Sequence, residues 1–411
     1  MIIRKAAFTA LLVCSSIAAR AEGLRREFTI TPEVIKEAPG YVAQVVVPDA
    51  TCAAVSESSS MLVVGRKGSD EKNLAVFRLD ADGHAAGEPT WITLPKPEAL
   101  AGNISYPLGL LFHPNLPVLY VWQDTAVAAG KTPDLSKYAE FDHLLTYAIK
   151  DGALELVQTG ARGSGFHCGL NAGTIGLDRE RKNLFVPNAQ GASYDEAGFG
   201  FYALDEEGIP GDTPESTNDK AVRKPEMTTN VSKNPGKKAI RVVTLPRQLR
   251  TNHYFPSGAG WFAGTEAMLM GGYSGCMMAD FHDGGLRQTW LSFPDRTGPS
   301  TLAAHPNLPM AYICLQDNLQ LMAIMQVNGY LTLLPQLATV TGAHFIGVPV
   351  VVTGQSRLAI GDAKALHLLG LQPDGRFDGK DERLTLPCAS VRGLAYSEKF
   401  NRLFVAVDKG N

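Results

Sequence analysis

Three features of the sequence predict an all-β fold: a seven-bladed β-propeller of four-stranded antiparallel blades, with the last blade closed by N-terminal strands. A strand that ends in a proline or a turn recurs seven times along the chain. A β-hairpin follows this strand at a similar offset, and the last repeat holds only two strands. Four-stranded repeats of about 40–50 residues are typical of propellers.

The recurring strand is a run of β-branched and aromatic residues, which favour extended backbone. Proline ends the run because it has no amide hydrogen to give to the ladder. The runs end at Pro48, Pro95, Pro246, Pro294, Pro335 and Pro387, and a looser copy covers residues 154–158. From Pro246 onward the prolines are 41 to 52 residues apart, which matches the length of a propeller blade.

The other three strands of each repeat are a hairpin and a third strand. Two hairpins contain the sequence His-Pro-Asn-Leu-Pro, at residues 113–117 and 305–309, and we expect His113 and His305 to stabilise these turns. A third strand follows, for example at residues 365–371. It runs into a glycine turn such as Asp374-Gly375, which leads to the fourth strand.

The two ends of the chain are predicted to complete one blade together. After Pro387 only two strands remain, at about residues 391–396 and 402–407. The N-terminal part has two spare strands, at residues 27–31 and 41–47. Their addition to the last two strands would give a seventh blade and remove both open sheet edges.

The first 21 residues are predicted to be a signal peptide. Arg4 and Lys5 form a basic start, residues 6–18 are apolar, and Ala19-Arg20-Ala21 offers small residues for cleavage before Glu22. The apolar run is too short to span a bilayer. We therefore expect the protein to be exported, to a periplasm or out of the cell.

The mature chain, residues 22–411, is predicted to be one propeller domain with inserted loops at about 125–142 and 206–239. The formal net charge of −3 gives no basic field for nucleic acid, and no further run is apolar enough to cross a membrane. We expect a monomer without a cofactor. Its partner is expected to be a small molecule or a protein.

The mature chain has five cysteines and no Cys-x-x-Cys spacing, so the sequence does not indicate a metal cluster. An exported protein is able to form disulfides. Cys52 and Cys388 are the best candidates for a pair, because both follow a repeat boundary in blades predicted to be neighbours. The alternative is that all five are small buried apolar residues.

Two segments carry a family resemblance. Residues 166–171, Phe-His-Cys-Gly-Leu-Asn, lie before a hairpin at 175–188, and residues 298–313 run from Gly-Pro-Ser-Thr-Leu through His-Pro-Asn to Ala-Tyr-Ile. Both resemble stretches of the lactonase-type seven-bladed propellers, the 6-phosphogluconolactonase-like and YVTN-repeat proteins. The resemblance implies a propeller fold and a lactonase site over the central channel. In this chain Ser300 stands where that family has arginine, and Gln316-Asp317 where it has glutamate.

Candidate site residues were taken from one face of the predicted propeller. On this loop face the chain enters each innermost strand and connects each second strand to the third, around the mouth of the channel. Lactone hydrolysis needs a cation for the developing oxyanion and a base that activates water. The candidates for catalysis are His167, Arg162, Asp317 and Arg392. The candidates for ligand binding are Asn171, Asn188, Asp124, Gln316, His253 and His344.

Three functions remain open at this point. One is ligand or partner binding on the loop face without catalysis, which the missing arginine at Ser300 favours. The second is a lactonase-like hydrolase that opens a lactone or sugar-acid ring, which His167 and the nearby arginines favour. The third is a purely structural or surface scaffold, in which the insertion at 206–239 would be the contact element. The histidines at 167, 253 and 344 come from non-neighbouring blades without a short ligand spacing, so we expect no metal site.

Overall fold

The computed structural model describes residues 28–68, 70–96, 103–127, 144–159, 175–188, 198–210, 230–231, 240–244, 258–272, 275–280, 287–292, 301–315, 318–327 and 330–409. These residues form seven separate β-sheets that follow one another along the chain. A helix with the length and apolar composition of a membrane span is absent from the described residues.

Three short strands precede the first complete blade: β1 (Phe28–Ile30), β2 (Glu33–Ile35) and β3 (Val42–Val46). The first blade contains β4 (Ala50–Ser56), β5 (Met61–Arg66), β6 (Leu74–Leu79) and β7 (Ala85–Ile92). The second contains β8 (Asn103–Phe112), β9 (Val118–Val127), β10 (Leu144–Lys150) and β11 (Ala153–Thr159). The third contains β12 (Gly176–Leu177), β13 (Asn183–Asn188), β14 (Gly198–Ala203), β15 (Asn230–Val231) and β16 (Ile240–Thr244).

The fourth blade contains β17 (Gly258–Trp261), β18 (Ala267–Gly272), β19 (Gly275–Asp280) and β20 (Arg287–Ser292). The fifth contains β21 (Thr301–Ala304), β22 (Met310–Leu315), β23 (Asn318–Val327) and β24 (Tyr330–Val340). The sixth contains β25 (Val350–Val352), β26 (Arg357–Gly361), β27 (Ala365–Leu371) and β28 (Phe377–Thr385). The seventh contains β29 (Leu394–Ser397) and β30 (Arg402–Val407).

The seven-bladed prediction is confirmed, and so are the roles of the repeated strands. The predicted third strand at residues 365–371 is β27, with the same bounds. The runs that end in proline are outer strands, for example β7 and β28. The predicted strand end at Pro335 is wrong, because β24 continues through Pro335, opposite Met322, to Val340. In β4 buried residues alternate with half-buried ones, as expected where a strand packs between two neighbouring sheets.

Packing between neighbouring blades continues around the whole ring. Clusters of buried apolar side chains join the first blade to the second, the second to the third, the fifth to the sixth, the sixth to the seventh, and the seventh to the first. An ion pair of 2.6 Å between Arg179 and Glu266 links the third and fourth blades. Strands β17 and β21 bring the fourth and fifth blades into contact.

The N-terminal segment closes the ring differently from the sequence prediction. Only β3 joins the seventh blade, where it pairs in parallel with β30, with Val42 opposite Leu403 and Val46 opposite Val407. The seventh sheet therefore has the order β29-β30-β3, with three strands in the described residues. Asp408 adds a further link, since its carboxylate accepts the amides of Asp49 at 3.1 Å and Ala389 at 2.6 Å.

The prediction that residues 27–31 belong to the seventh blade is wrong. Strand β1 pairs in parallel with β24 on the outer edge of the fifth blade, and β2 pairs in parallel with β28 on the sixth. Residues 28–46 thus pass along three successive outer edges, and we call this segment the strap. Three-residue strands have too little alternation to reveal which edge they cover, so the sequence pattern did not distinguish these pairings.

Two predicted insertions also differ from the structure. Strand β9 extends to Val127, so it includes the first residues of the loop predicted at 125–142. The loop predicted at 206–239 begins with a turn that a bridge between Leu204 and Pro210 closes. It also contains β15, a fifth strand that pairs with β16. The remaining residues of both loops lie outside the described part of the chain.

The opposite face, which we call the turn face, uses its histidines to stabilise hairpin turns, as predicted. His113 Nδ1 accepts the amides of Asn115 at 3.2 Å and Leu116 at 3.0 Å. His305 Nδ1 accepts two amides in the same way, at 3.1 Å each. These contacts satisfy the turn backbone and leave no distinctive chemistry at either histidine.

The cysteines Cys52, Cys314 and Cys388 are buried free thiols, so the suggested bond between Cys52 and Cys388 is not formed. Burial raises the pKa of Cys52 to about 12, and burial with the nearby Asp408 carboxylate raises the pKa of Cys388 to about 11. Both thiols therefore stay protonated at neutral pH and behave as apolar packing groups. Cys14 and Cys168 lie outside the described residues.

Candidate functional site

The first, second and seventh blades meet on the loop face around the side chain of Tyr106. Tyr106 lies in β8 and is 8% exposed. Lys67, which follows the end of β5, places its Nζ atom 4.6 Å from the centroid of the Tyr106 ring. Arg392 lies just before β29, where a Cβ atom at the next residue, Gly393, would lie 3.1 Å from that of Ala50 at the start of β4. We call Lys67, Tyr106 and Arg392 the mouth cluster.

The position of Tyr106 follows from an unusually long hairpin in the second blade. Strands β8 and β9 pair from Asn103 to Phe112, with an irregularity in register between Pro107 and Gly109. Two side chains of the first blade hold this outer part of the hairpin. Asn73 Nδ2 donates to the Ser105 carbonyl at 2.5 Å, and Thr51 Oγ1 donates to the Pro107 carbonyl at 2.5 Å. Tyr106 is thus fixed between two anchored neighbours.

Asp124 lies directly across the hairpin from Tyr106, as its register partner in β9. Register partners point to the same face of a sheet, so the phenol and the carboxylate share one side of the second blade. Asp124 is 2% exposed. The Asp124 carboxylate therefore lies next to the mouth cluster but is almost closed off from solvent.

The backbone at Arg392 is held by the sixth blade. The Val391 amide donates to the Asp362 carbonyl at 3.0 Å. A Cβ atom at Gly361 would collide with the Val391 carbonyl, and one at Gly347 would lie 3.0 Å from the same oxygen. Glycine at these two positions therefore permits the close approach of the Val391–Arg392 backbone to the sixth blade. The guanidinium is half-buried, and this burial lowers its pKa, while the Tyr106 phenol acts in the opposite direction.

A buried charged cluster lies behind this attachment, inside the sixth blade. His367 is fully buried, and its Nδ1 lies 2.6 Å from Asp381 Oδ2. Its Nε2 lies 3.5 Å from Asp362 Oδ2, and the Arg383 guanidinium approaches the same oxygen at 3.7 Å. Phe345 packs edge-on against the imidazole, with ring centroids 5.4 Å apart. The side chains of His367, Asp381 and Asp362 are at most 5% exposed, so these three groups pair with one another rather than face solvent.

Of the predicted site residues, the structure brings Arg392 and Asp124 to the same tyrosine. His344 is exposed and lies between β24 and β25. Asn188 is the last residue of β13, opposite Gly198. The positions of the other predicted residues lie outside the described part of the chain: His167, Arg162, Asp317, Asn171, Gln316 and His253.

Sequence reasoning missed Tyr106 and Lys67. Each had a signal in the sequence, because Tyr106 lies near the start of an innermost strand and Lys67 directly follows a second strand, at Arg66. Arg66 itself is engaged elsewhere. It binds Asp70 at 3.0 Å and stacks on Trp91, with 5.3 Å between the guanidinium carbon and the ring centroid.

One group of possible metal ligands occurs among the described residues, on the turn face. Single ligand atoms of Asp80, Asp82 and His84 lie within 4.8 Å of one another, and all three residues are exposed. The Arg402 guanidinium lies 2.7 Å from His84 Nε2, while Asp80 Oδ1 accepts the amides of Asp82 and His84. These three residues therefore belong to a hairpin turn that already contacts the Arg402 guanidinium.

Comparisons with known proteins bear on the fold. Neither a protein-family profile nor a curated protein sequence matches the chain. A solved protein from Lactobacillus plantarum is 14% identical, with a TM-score of 0.55, over 85% of this chain and 89% of that one. The β-propeller domain of a Myceliophteria thermophila protein is 10% identical, with a TM-score of 0.50, over 88% of this chain and 96% of that one.

A third solved structure matches with a lower TM-score. It is a Bacteroides uniformis protein described as a candidate 6-phosphogluconolactonase, 13% identical over 82% of this chain and 97% of that one. Its TM-score of 0.45 is too low to bear on activity. Likeness at these identities shows the propeller fold alone, because propellers host many unrelated functions.

Proposed function

We propose that the protein is an exported β-propeller that binds a small molecule on its loop face, at the mouth cluster, without catalysing a reaction. The observation that carries this proposal is that Lys67 lies on the Tyr106 ring, at the junction where the Arg392 segment of the seventh blade packs beside Ala50 of the first. Turn geometry does not require such a convergence. On the turn face, by contrast, polar side chains such as His113 and His305 bond the backbone of their own turns.

The burial of the cluster favours a small molecule over a protein partner. Tyr106 is almost fully buried and Arg392 is half-buried, so neither side chain is broadly open to solvent. Ligand sites for small molecules are typically concave, with a few polar groups that fix orientation. Protein partners instead need a broad contact area with exposed anchors.

The surroundings of Arg392 support binding more than hydrolysis. A hydrolase needs a base that is able to reach a water molecule beside the cation. Among the described residues near Arg392 and Tyr106, the carboxylate is Asp124, which is 2% exposed. An acid so deeply buried is poorly placed to activate a water molecule at the mouth.

A ligand screen tests the proposal with a matched pair of tyrosine variants. Neutral and charged polar metabolites would be screened against residues 22–411 by thermal shift, and hits confirmed by calorimetry. We expect Tyr106→Ala to weaken binding of the hits by about tenfold or more, a loss of about 1.4 kcal/mol. Tyr396→Ala, at a tyrosine that bonds Gly354 and Asn401 on the turn face, is expected to change affinity by less than about twofold.

The proposal fails if no compound binds, or if both tyrosine variants weaken binding equally. A lactone panel followed with a pH indicator addresses the hydrolytic alternative. We expect no ring opening above the rate without protein. Turnover that Arg392→Gln removes would contradict a binding-only function and would favour a lactonase-like hydrolase.

Export rests on the N-terminal sequence, with its basic residues at positions 4 and 5 and its apolar run at 6–18. We expect the protein purified from its native cells to begin at or near Glu22. N-terminal sequencing of the periplasmic and extracellular fractions would show this start. Recovery of the chain with residues 1–21 intact would contradict export through a cleaved signal.

A further inference from the structure

Lys67 and the Arg392 segment reach the same junction from different blades, since a Cβ atom at Gly393, the residue after Arg392, would lie 3.1 Å from that of Ala50. The Lys67 ammonium stacks on the Tyr106 ring, and its backbone amide donates to the Asp49 carbonyl at 3.0 Å. Lys67 is exposed and forms no ion pair in the part of the chain that the structure describes. Its charge is therefore available to a ligand.

The other cations in the same region of the first blade are engaged differently. Arg66 pairs with Asp70 at 3.0 Å, and Lys96 pairs with Glu71 at 2.7 Å. Lys72 points toward Trp91, with its Nζ atom 5.7 Å from the ring centroid. Lys67 thus differs from its neighbours in facing the junction of three blades.

Arg392 supplies the second cation in a setting that strengthens electrostatic attraction. Its guanidinium is half-buried, and charges act more strongly on one another where water is partly excluded. A guanidinium also offers paired N–H donors that match the two oxygens of a carboxylate or phosphate. The acid Asp124 is the register partner of Tyr106, and it lies buried within the β8–β9 hairpin.

We propose that the ligand of the mouth cluster is an anion, a small molecule with a carboxylate or phosphate group held between Lys67 and Arg392. The Tyr106 ring forms the wall against which the ligand packs. This inference rests on the proposed function and adds the chemical class of the ligand. Either oxyanion has the chemistry required, and the experiment below separates the two.

Three probes with the same carbon skeleton isolate the charged group: glycerate, glycerol 3-phosphate and glycerol. Binding to residues 22–411 would be measured by calorimetry and by heteronuclear NMR at low ionic strength. We expect one or both anions to bind at millimolar or lower concentration, and glycerol to bind at least about tenfold more weakly. The anion that binds more tightly identifies the preferred oxyanion.

Charge-removing variants then locate the binding. Lys67→Gln and Arg392→Gln are each expected to weaken anion binding by about tenfold. Lys72→Gln removes a lysine of the same segment that faces Trp91, and it is expected to change affinity by less than about twofold. Lys67 is exposed, so its variant remains informative even if Arg392→Gln fails to fold.

Three outcomes would overturn the inference. Glycerol binding as tightly as both anions would remove the role of charge. Anion binding that Lys67→Gln and Arg392→Gln leave unchanged would place the anion elsewhere. A lack of binding by either anion would contradict the ligand class directly. A neutral ligand whose binding depends on Tyr106 would still support the proposed function after any of these outcomes. Failure of the anion proposal is therefore distinguishable from failure of the proposed function.

Discussion

Val45→Asp is expected to lower the free energy of unfolding by about 3 kcal/mol or more, because it buries an unpaired carboxylate in the contact that closes the ring. Val45 is 5% exposed and belongs to the apolar cluster that joins the seventh blade to the first. In that cluster it lies with Phe404 of β30 and Leu62 of β5. Chemical denaturation of the mature chain, followed by fluorescence, would measure the loss.

The next residue of the same strand provides the control. Val46 is 48% exposed and points away from this cluster, so Val46→Asp is expected to cost less than about 1 kcal/mol. Both variants introduce the same charge into β3, one position apart. Equal losses for the two would contradict the register in which β3 packs with Val45 inward.

Asp381→Ala is expected to destabilise the protein by about 3–5 kcal/mol, because it leaves the fully buried His367 without its partner at 2.6 Å. The adjacent Glu382 forms an ion pair with Arg357 that is partly open to solvent. Glu382→Gln is therefore expected to cost about 1 kcal/mol or less. Equilibrium denaturation of the two variants side by side would measure the difference.

A double variant separates loss of the interaction from general disruption of the blade. Replacing both His367 and Asp381 by leucine removes the buried pair and supplies apolar volume in its place. We expect this double variant to recover much of the stability that Asp381→Ala loses. A double variant less stable than Asp381→Ala would show that the cluster contributes more than a mutual pairing of its members.

The repeated strands could be predicted because their signals are local. A β-branched run that ends in proline, or a His-Pro-Asn turn between two apolar strands, determines its own conformation within about ten residues. The hairpins at His113 and His305 and the strand β27 therefore agree with the sequence prediction. The number of blades followed from counting these units.

The path of the strap could not be predicted, because its pairing partners are distant in sequence and each strand is short. Val34 in β2 is 67% exposed, so no apolar alternation marks the inner side of that strand. Closure at residues 41–47 was predictable because only two strands follow Pro387, and Val45 and Val47 supply apolar side chains that pack with Phe404. Strands β1 and β2 pair in parallel with outer strands, and their short sequences contain no pattern that indicates these partners.

The mouth cluster was only partly predictable, because it is assembled from three blades. Arg392 and Asp124 could be assigned to the loop face from the order of strands alone. Their positions near Tyr106 depend on the irregular register at Pro107 and on the close packing of the Val391 carbonyl against Gly361. Neither feature has a signal in the sequence until the three-dimensional arrangement of the blades is known.

Hydrogen–deuterium exchange on the closing strand most directly tests the account, because the mouth cluster exists only if the ring brings Arg392 back to the first blade. Peptides that cover β3 and β30 would be followed by mass spectrometry in the mature wild-type protein. The parallel pairing of Val42 with Leu403 through Val46 with Val407 predicts that both strands exchange slowly and at similar rates. Fast exchange of β3 beside a protected β30 would contradict closure by the N-terminal strand.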